Sequence, residues 1–264
     1  MKRLSIFLMS AIVLSGILAG CSKTVYYQVY QTQPTNAESC QIKSDYLVYE
    51  NSTCIVKHNF FSEEGNAGFW ITNQTDSVMF LRLAESFFIY NGMTHDYYQS
   101  REWEETNSHT ETASRQERKT KKRKSSESLL GSSSTVTKST TNHEREVIMI
   151  PPHATRYISE YHLIENMRTL CGVKETPRKG KSAGSSFTPE NSPLVFGNYI
   201  TYTIGTTGKR VHVDNRFFVS EIINVHNASM FENVRTKDEC GKEGAKAPKM
   251  LYTTPDRFYV KYKR

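Results

Sequence analysis

The chain has 264 residues, 37% hydrophobic and 23% charged, with a formal charge of +7. That allows a sizeable core in one large domain or two small ones. The charge sits in one short run and leaves the folded part near neutral: Lys2 and Arg3 belong to a leader, the run from Arg115 to Lys124 contributes +6, and the remainder sums to −1.

The leader comes first. Lys2 and Arg3 precede an almost wholly apolar run from Leu4 to Leu18, closed by Leu18-Ala19-Gly20-Cys21. A positive start, an apolar stretch and a small-residue cleavage site make residues 1–20 a secretory signal peptide. The run is shorter than the roughly 17 to 25 residues that span a bilayer. Its last four residues resemble a bacterial lipobox, which implies that Cys21 is lipidated and becomes the acylated (palmitate-type) first residue. Residues 21–24 then form a short tether, since an extended residue covers about 3.3 to 3.6 Å, and the domain is expected to sit against the membrane.

Cys40, Cys54, Cys171 and Cys240 remain. An exported compartment permits disulfides, so two bridges in any of three connectivities are open, as are free buried thiols acting as small hydrophobes. No C-x-x-C pair suggests zinc.

A first β-rich part covers 25–102. Val25 to Tyr30, Tyr46 to Glu50, Thr53 to Phe60, Gly68 to Asn73, Ser77 to Leu83 and Phe87 to Tyr90 read as strands, with Gln74-Thr75-Asp76 as a hairpin turn and Asn91-Gly92 as a tighter one. Residues 103–145 are dominated by Ser, Thr, Glu, Lys and Arg and bury too little apolar area to offset their ordering entropy, so a disordered basic insertion is expected. Its Arg115, Arg118, Lys119, Lys121, Lys122, Arg123 and Lys124 could contact anionic lipid. With no aromatic residues interleaved for base stacking, specific nucleic-acid binding is not expected.

The second β-rich part, 146–264, opens with Glu146 to Ile150, stopped by Pro151-Pro152, and continues with Arg156 to Ile158. Ser159 offers an N-cap to a helix near 160–170, where Leu163, Ile164, Met167 and Leu170 repeat at helical spacing before Cys171-Gly172. Lys174 to Pro193 reads as loop. Strands resume with Leu194 to Phe196, Tyr199 to Ile204, Lys209 to Val213 and Phe217 to Val225; Asn227 to Lys249 reads as a polar loop, and Phe258 to Tyr262 closes the chain.

Cys21, the Val25 to Tyr30 run, Gly68 to Thr75, Ser86 to Gly92, Ile150-Pro151-Pro152, Ser159-Glu160-Tyr161 and Phe258 to Tyr262 together resemble a group of uncharacterised lipoproteins from gut Bacteroidota. The resemblance implies a home in the cell envelope and no particular activity. Ser22 departs from the Asp that resembles an inner-membrane retention signal, and Ser22-Lys23-Thr24 lacks the acidic residues of surface-exported relatives. An outer-membrane lipoprotein facing the periplasm is therefore expected. The strand pattern around Asn73-Gln74-Thr75 and the later Ile-Pro-Pro strand is similar to bacterial immunoglobulin-like sandwiches, a likeness of fold alone.

Chemical motifs are sparse. His143-Glu144 begins like a zinc-protease helix, but Val147 stands where the second His belongs. Gly205-Thr206-Thr207-Gly208-Lys209 is too short for a P-loop and reads as a hairpin turn. His212 and Asp214 share a strand face, and His95-Asp96 follows a turn; neither pair supplies three metal ligands or a nucleophile. Gly184-Ser185-Ser186 lacks a nucleophile elbow, and Glu63-Glu64 reads as loop. Tyr26, Tyr27, Tyr30, Tyr97, Tyr98, Tyr199, Tyr202, Tyr259 and Tyr262 suit sheet packing, or a binding platform if contiguous. Asp76-Ser77-Val78 resembles a Bacteroidota O-glycosylation acceptor, which would place the sugar on Ser77.

The expectation is an all-β, immunoglobulin-like β-sandwich with one short helix and a long insertion, lipid-anchored at Cys21, without metal or cofactor. Its expected role is a non-enzymatic binding or structural module with an envelope protein partner. A surface carbohydrate-binding accessory lipoprotein is the alternative. A hydrolase uniting His212 or His95 with carboxylates ranks lower.

Overall fold

A computed structural model of the chain describes residues 23–36, 40–111 and 134–264, with backbone alone described between 103 and 142. The expected leader 1–20, Cys21 and the basic run Arg115 to Lys124 lie outside the described residues.

In chain order the strands are β1 (Val25–Pro34), β2 (Gln41–Lys43), β3 (Tyr46–Glu50), β4 (Cys54–His58), β5 (Phe69–Asn73), β6 (Met79–Arg82), β7 (Phe87–Tyr90), β8 (Met93–Asp96), β9 (Glu102–Glu111) and β10 (Ser134–His143). They continue with β11 (Val147–Ile150), β12 (Thr155–Ile158), β13 (Ser182–Ser186), β14 (Val195–Ile204), β15 (Val211–His226), β16 (Phe231–Lys237), β17 (Glu243–Met250) and β18 (Arg257–Lys263). The larger sheet has the order β11-β6-β14-β15-β1-β18, with β13 also on β15 and the β7–β8 hairpin also on β14. The smaller sheet runs β12-β5-β4-β3-β2. Both β-rich parts of the sequence contribute to each sheet, and one core cluster takes side chains from both, so the architecture is an all-β sandwich.

Burial explains which sequences became which strands. In β4 and β5, Cys54, Val56 and His58 and then Phe69, Ile71 and Asn73 point inward at every second position, as a sheet with one wet face requires. Strands β1 and β14 lie mid-sheet and are covered on both faces, so they bury near-continuous runs. In the core, Phe217 meets Phe60 at 4.9 Å and its cross-strand partner Phe196 at 5.7 Å between ring centroids, and Tyr30 stacks on Phe258 of the neighbouring strand at 4.6 Å. Each such buried aromatic contributes about 1.5 to 3 kcal/mol.

The Asn91-Gly92 turn closes β7 and β8 with positive φ at both residues, the type I′ geometry expected of Asn-Gly. The Gln74-Thr75-Asp76 turn does not close a hairpin: β5 lies in the smaller sheet and β6 in the larger, so this loop crosses between layers. Pro151-Pro152 carries the chain back across, from β11 to β12. Buried Asn73 holds the two crossings together, its Nδ2 donating to the carbonyls of Ser77 (2.7 Å), Ile150 (3.2 Å) and Pro151 (3.1 Å).

The helix expected near 160–170 is absent. Leu163 and Ile164 are buried and Met167 and Leu170 pack on the core, yet the segment is an irregular strap. Its backbone has better partners than its own carbonyls: Leu163 N donates to Gly65 O at 2.9 Å, Ile164 N to Glu64 O at 3.0 Å, and Arg168 N to the Gln28 side chain at 2.7 Å. Gly65 makes this docking possible, since its φ of +70° and the 2.8 Å that would separate an added Cβ from Phe258 Cγ suit glycine alone. The short helix is instead α1 (Asn227–Met230), capped by the His226 ring at Ala228 N. The segment read as loop from Asn227 to Lys249 also contains the β16–β17 hairpin, and the loop before Pro193 contains β13.

Among the described residues the insertion joins neither main sheet. Its two ends pair with each other as an antiparallel ribbon, β9 with β10, and residues 112–133 lie outside the described residues. The Thr and Ser of β10 suit an extended ribbon.

Candidate functional site: a cleft between two sheet edges

Because Pro151-Pro152 sends the chain from one sheet to the other at the same side of the sandwich, β11 ends the larger sheet and β12 ends the smaller one. Among the described residues each therefore pairs on one side, β11 with β6 and β12 with β5. A cleft of 920 Å³ opens between these edges. Its floor is Leu83, Tyr97 and Ile158, its walls include Ile148 and Met149 of β11 and Arg156 and Tyr157 of β12, and Arg101, His143, Glu144 and Arg145 close one end at the base of the ribbon.

Apolar side chains stand open here. Met149 is 63% exposed and Tyr157 39% exposed. The Tyr157 ring is held in place: it stacks on Trp70 at 4.4 Å, and its hydroxyl accepts from Asn66 Nδ2 at 2.7 Å. Trp70 in turn meets Tyr46 edge-on at 5.3 Å. A ring fixed in this way loses little freedom on meeting a ligand.

The charged end is organised around Arg101. Its Nη2 donates to Glu144 at 2.6 Å and its Nη1 to Glu160 at 2.8 Å, and the second Glu144 oxygen accepts the backbone N–H groups of Gln99 (2.8 Å) and Arg101 (3.1 Å). Glu160 and Glu144 raise the Arg101 pKa. Partial burial pushes the Glu144 pKa up, but the Arg101 guanidinium and the two N–H groups prevail and lower it. Beneath, burial raises the Tyr97 pKa well above that of a free phenol, and its hydroxyl donates to Asn198 Oδ1. His143 pairs with Glu102 at 3.0 Å. Arg145 and Arg156 are exposed and make no ion pair among the described residues.

A second cleft, of 570 Å³, runs along the strap and shares Glu160 as a wall. It is lined by Tyr90, Tyr161 and Arg168 among others. Tyr161 stacks on Phe88 at 4.9 Å and donates to the Asp96 carbonyl; Arg168 Nη2 reaches Tyr90 at 3.5 Å.

The residues singled out from sequence have scattered. His212 bonds Thr201 at 3.0 Å and stacks on Tyr199, while Asp214 pairs with Arg216 at 2.9 Å. His95 lies against Phe88 and Tyr161 with no carboxylate partner among the described residues. Of the tyrosines, Tyr26, Tyr27, Tyr30, Tyr97, Tyr202 and Tyr262 are buried, so these six build core rather than a platform. Ser77 is exposed in the crossing loop, beside Asp76, whose carboxylate pairs with His153 at 3.0 Å. Cys54, Cys171 and Cys240 are free thiols, so no bridge joins any two of them; Cys54 is buried, with its pKa raised by burial, and Cys171 and Cys240 are exposed. Cys40 is buried in the core cluster. Among the described residues no group of His, Cys, Asp and Glu is placed to hold a metal, and no helix is long and apolar enough to cross a membrane.

Arg145, Met149, Arg156 and Tyr157 did not stand out in the sequence. The available signal was the Pro-Pro break between two short strands, since proline within sheets belongs to edges.

Compared with protein-family models, with curated proteins and with solved structures, the chain matches none.

Proposed function

We propose that this chain is a lipid-anchored protein of the bacterial envelope that binds another protein, without catalysis, at the cleft between β11 and β12. The leader and the Cys21 motif support the anchor, and Ser22 supports the outer membrane with the domain in the periplasm. One observation carries the binding role: two strand edges that, among the described residues, pair on one side only lie beside each other, with Met149 and Tyr157 exposed along the rims of the cleft. Natural proteins usually blunt such edges, and an added strand is a common way to use one. The separate partners taken by His212 and Asp214 favour binding over hydrolysis.

The test is a photo-crosslinking residue at position 149, with position 94 on exposed β8 as control, in cells making the full chain. A discrete adduct at 149 that excess unlabelled protein displaces, and that a Met149→Pro competitor does not, is the expected result. The same adducts at both positions, or none at 149, would count against the site. The anchor is checked separately, because Cys21→Ala should leave the membrane fraction; unchanged partitioning would refute lipidation there.

A further inference from the structure

We infer that the occupant of this cleft is an extended protein segment bearing acidic side chains, which pairs with the free edge of β11 and is read by Arg156 and Arg145. This rests on the cleft being a protein-binding site and adds the chemistry of the partner.

The two edges are unlike. Strand β11 reads Val147-Ile148-Met149-Ile150, with no charge or proline within it. Ile148 and Ile150 lie against the core and Met149 faces out, so the strand is anchored while one row of its backbone groups stays unpaired among the described residues. Strand β12 carries Arg156 opposite Ile71, whose side chain is buried, yet Arg156 is exposed because it stands at the open side of the sandwich. An inward-pointing charge on an edge strand opposes indiscriminate pairing. Strand β11 is thus the edge that accepts a partner, and Arg156 on β12, with Arg145 just before β11, selects it.

The charge in the cleft points to the sign of that partner. Glu144 and Glu160 are both engaged by Arg101, leaving one net negative charge in that trio. Arg145 and Arg156 add two positive charges with no partner among the described residues. A guanidinium presents a planar fork suited to carboxylate, and the Tyr157 ring and Met149 offer apolar contact beside it. An acidic, partly apolar strand matches both features. It need cover only the four residues of β11, about 13 Å of extended chain.

The experiment uses the purified full chain and three fluorescein-labelled peptides of alternating Thr and Val, differing only in two central positions occupied by Asp, Asn or Lys. Binding is followed by anisotropy. The Asp peptide should bind about tenfold more tightly than the Asn peptide, with the advantage falling as salt rises. Arg156→Gln and Arg145→Gln should each reduce that advantage about threefold, the Asp peptide losing more affinity than the Asn peptide. Both arginines are exposed and unpaired among the described residues, so the variants should keep the parent's thermal midpoint.

Equal affinity for the Asp and Asn peptides would overturn the acidic assignment and leave the edge-binding reading standing. Failure of all three peptides to bind would overturn both. Binding of phosphatidylglycerol vesicles that needs Arg156, with no peptide binding, would assign the cleft to lipid headgroups and overturn the inference.

Discussion

Gln28 and Arg168 are joined twice: the Gln28 amide oxygen accepts the Arg168 backbone N–H at 2.7 Å, and its nitrogen donates to the Arg168 carbonyl at 2.9 Å. A side chain from mid-sheet thus imitates a strand, satisfying one residue of the strap as a ladder would. The same amide donates to Asn224 and accepts from the Tyr30 hydroxyl, so its bonding is spent within the fold.

Replacing it should therefore be costly. Gln28→Leu leaves the Arg168 N–H, its carbonyl and the Tyr30 hydroxyl short of partners, at about 1 to 3 kcal/mol for each buried unsatisfied group. A loss of about 3 kcal/mol in urea unfolding is expected. A loss below about 1 kcal/mol would mean that apolar contacts alone hold the strap.

Asn73 poses a related test at the two crossings. Its nitrogen serves three carbonyls and its oxygen accepts Thr75 N at 3.0 Å. Asn73→Ala should cost about 2 to 4 kcal/mol and speed amide exchange at Thr75. Unchanged exchange there would show that the corner stands without the amide.

Acid should act through His58. This ring is fully buried among Phe60, Phe69 and Phe217, bonds Asn215 at 3.1 Å, and burial lowers its pKa to about 3. Below its unfolded value near 6.5 the unfolded chain takes up a proton that the folded chain refuses. Stability should fall with pH from 6.5 towards 3 by about 1.4 kcal/mol per pH unit from this group. His58→Gln removes the titration and should flatten the slope between pH 6 and 4.5, measured by urea unfolding; an identical slope would acquit His58.

Glu144 adds a second acid response, of the opposite chemical kind. Its pKa is lowered in the fold, so its contribution is complete above the ordinary carboxylate range and is lost as pH falls through the folded value. Glu144→Ala should raise amide exchange at Gln99 and Arg101, whose N–H groups it accepts, at neutral pH and not in acid. No change at neutral pH would show that the ribbon base is held by other contacts.

Much of the sheet content was legible because aromatic and β-branched runs bounded by turn residues leave a local trace: β3 and β7 have the very bounds that their residues suggested. Where the reading went astray, the competing partner was distant in sequence. Leu163, Ile164, Met167 and Leu170 carry helical spacing, but Gln28 and the Glu64-Gly65 loop offered their backbone other bonds. The turn after Asn73 looked like a hairpin because a local pattern cannot say which sheet each flanking strand joins. The β16–β17 hairpin is mostly exposed, so it lacks the alternation that would have revealed it. The cleft was hidden for a similar reason: Arg156 and Met149 are unremarkable until the two sheet ends come together.

The pairing of β1 has a mechanical consequence. It is matched to β15 from Tyr26 to Pro34 and to β18 from Val25 to Gln31, and Thr24 exchanges both backbone bonds with Arg264. Tension applied at residue 23 would draw β1 lengthwise between two neighbours. Its rungs would then bear the load together instead of peeling one after another, so the end facing the proposed tether resists pulling better than a strand peeled from an edge.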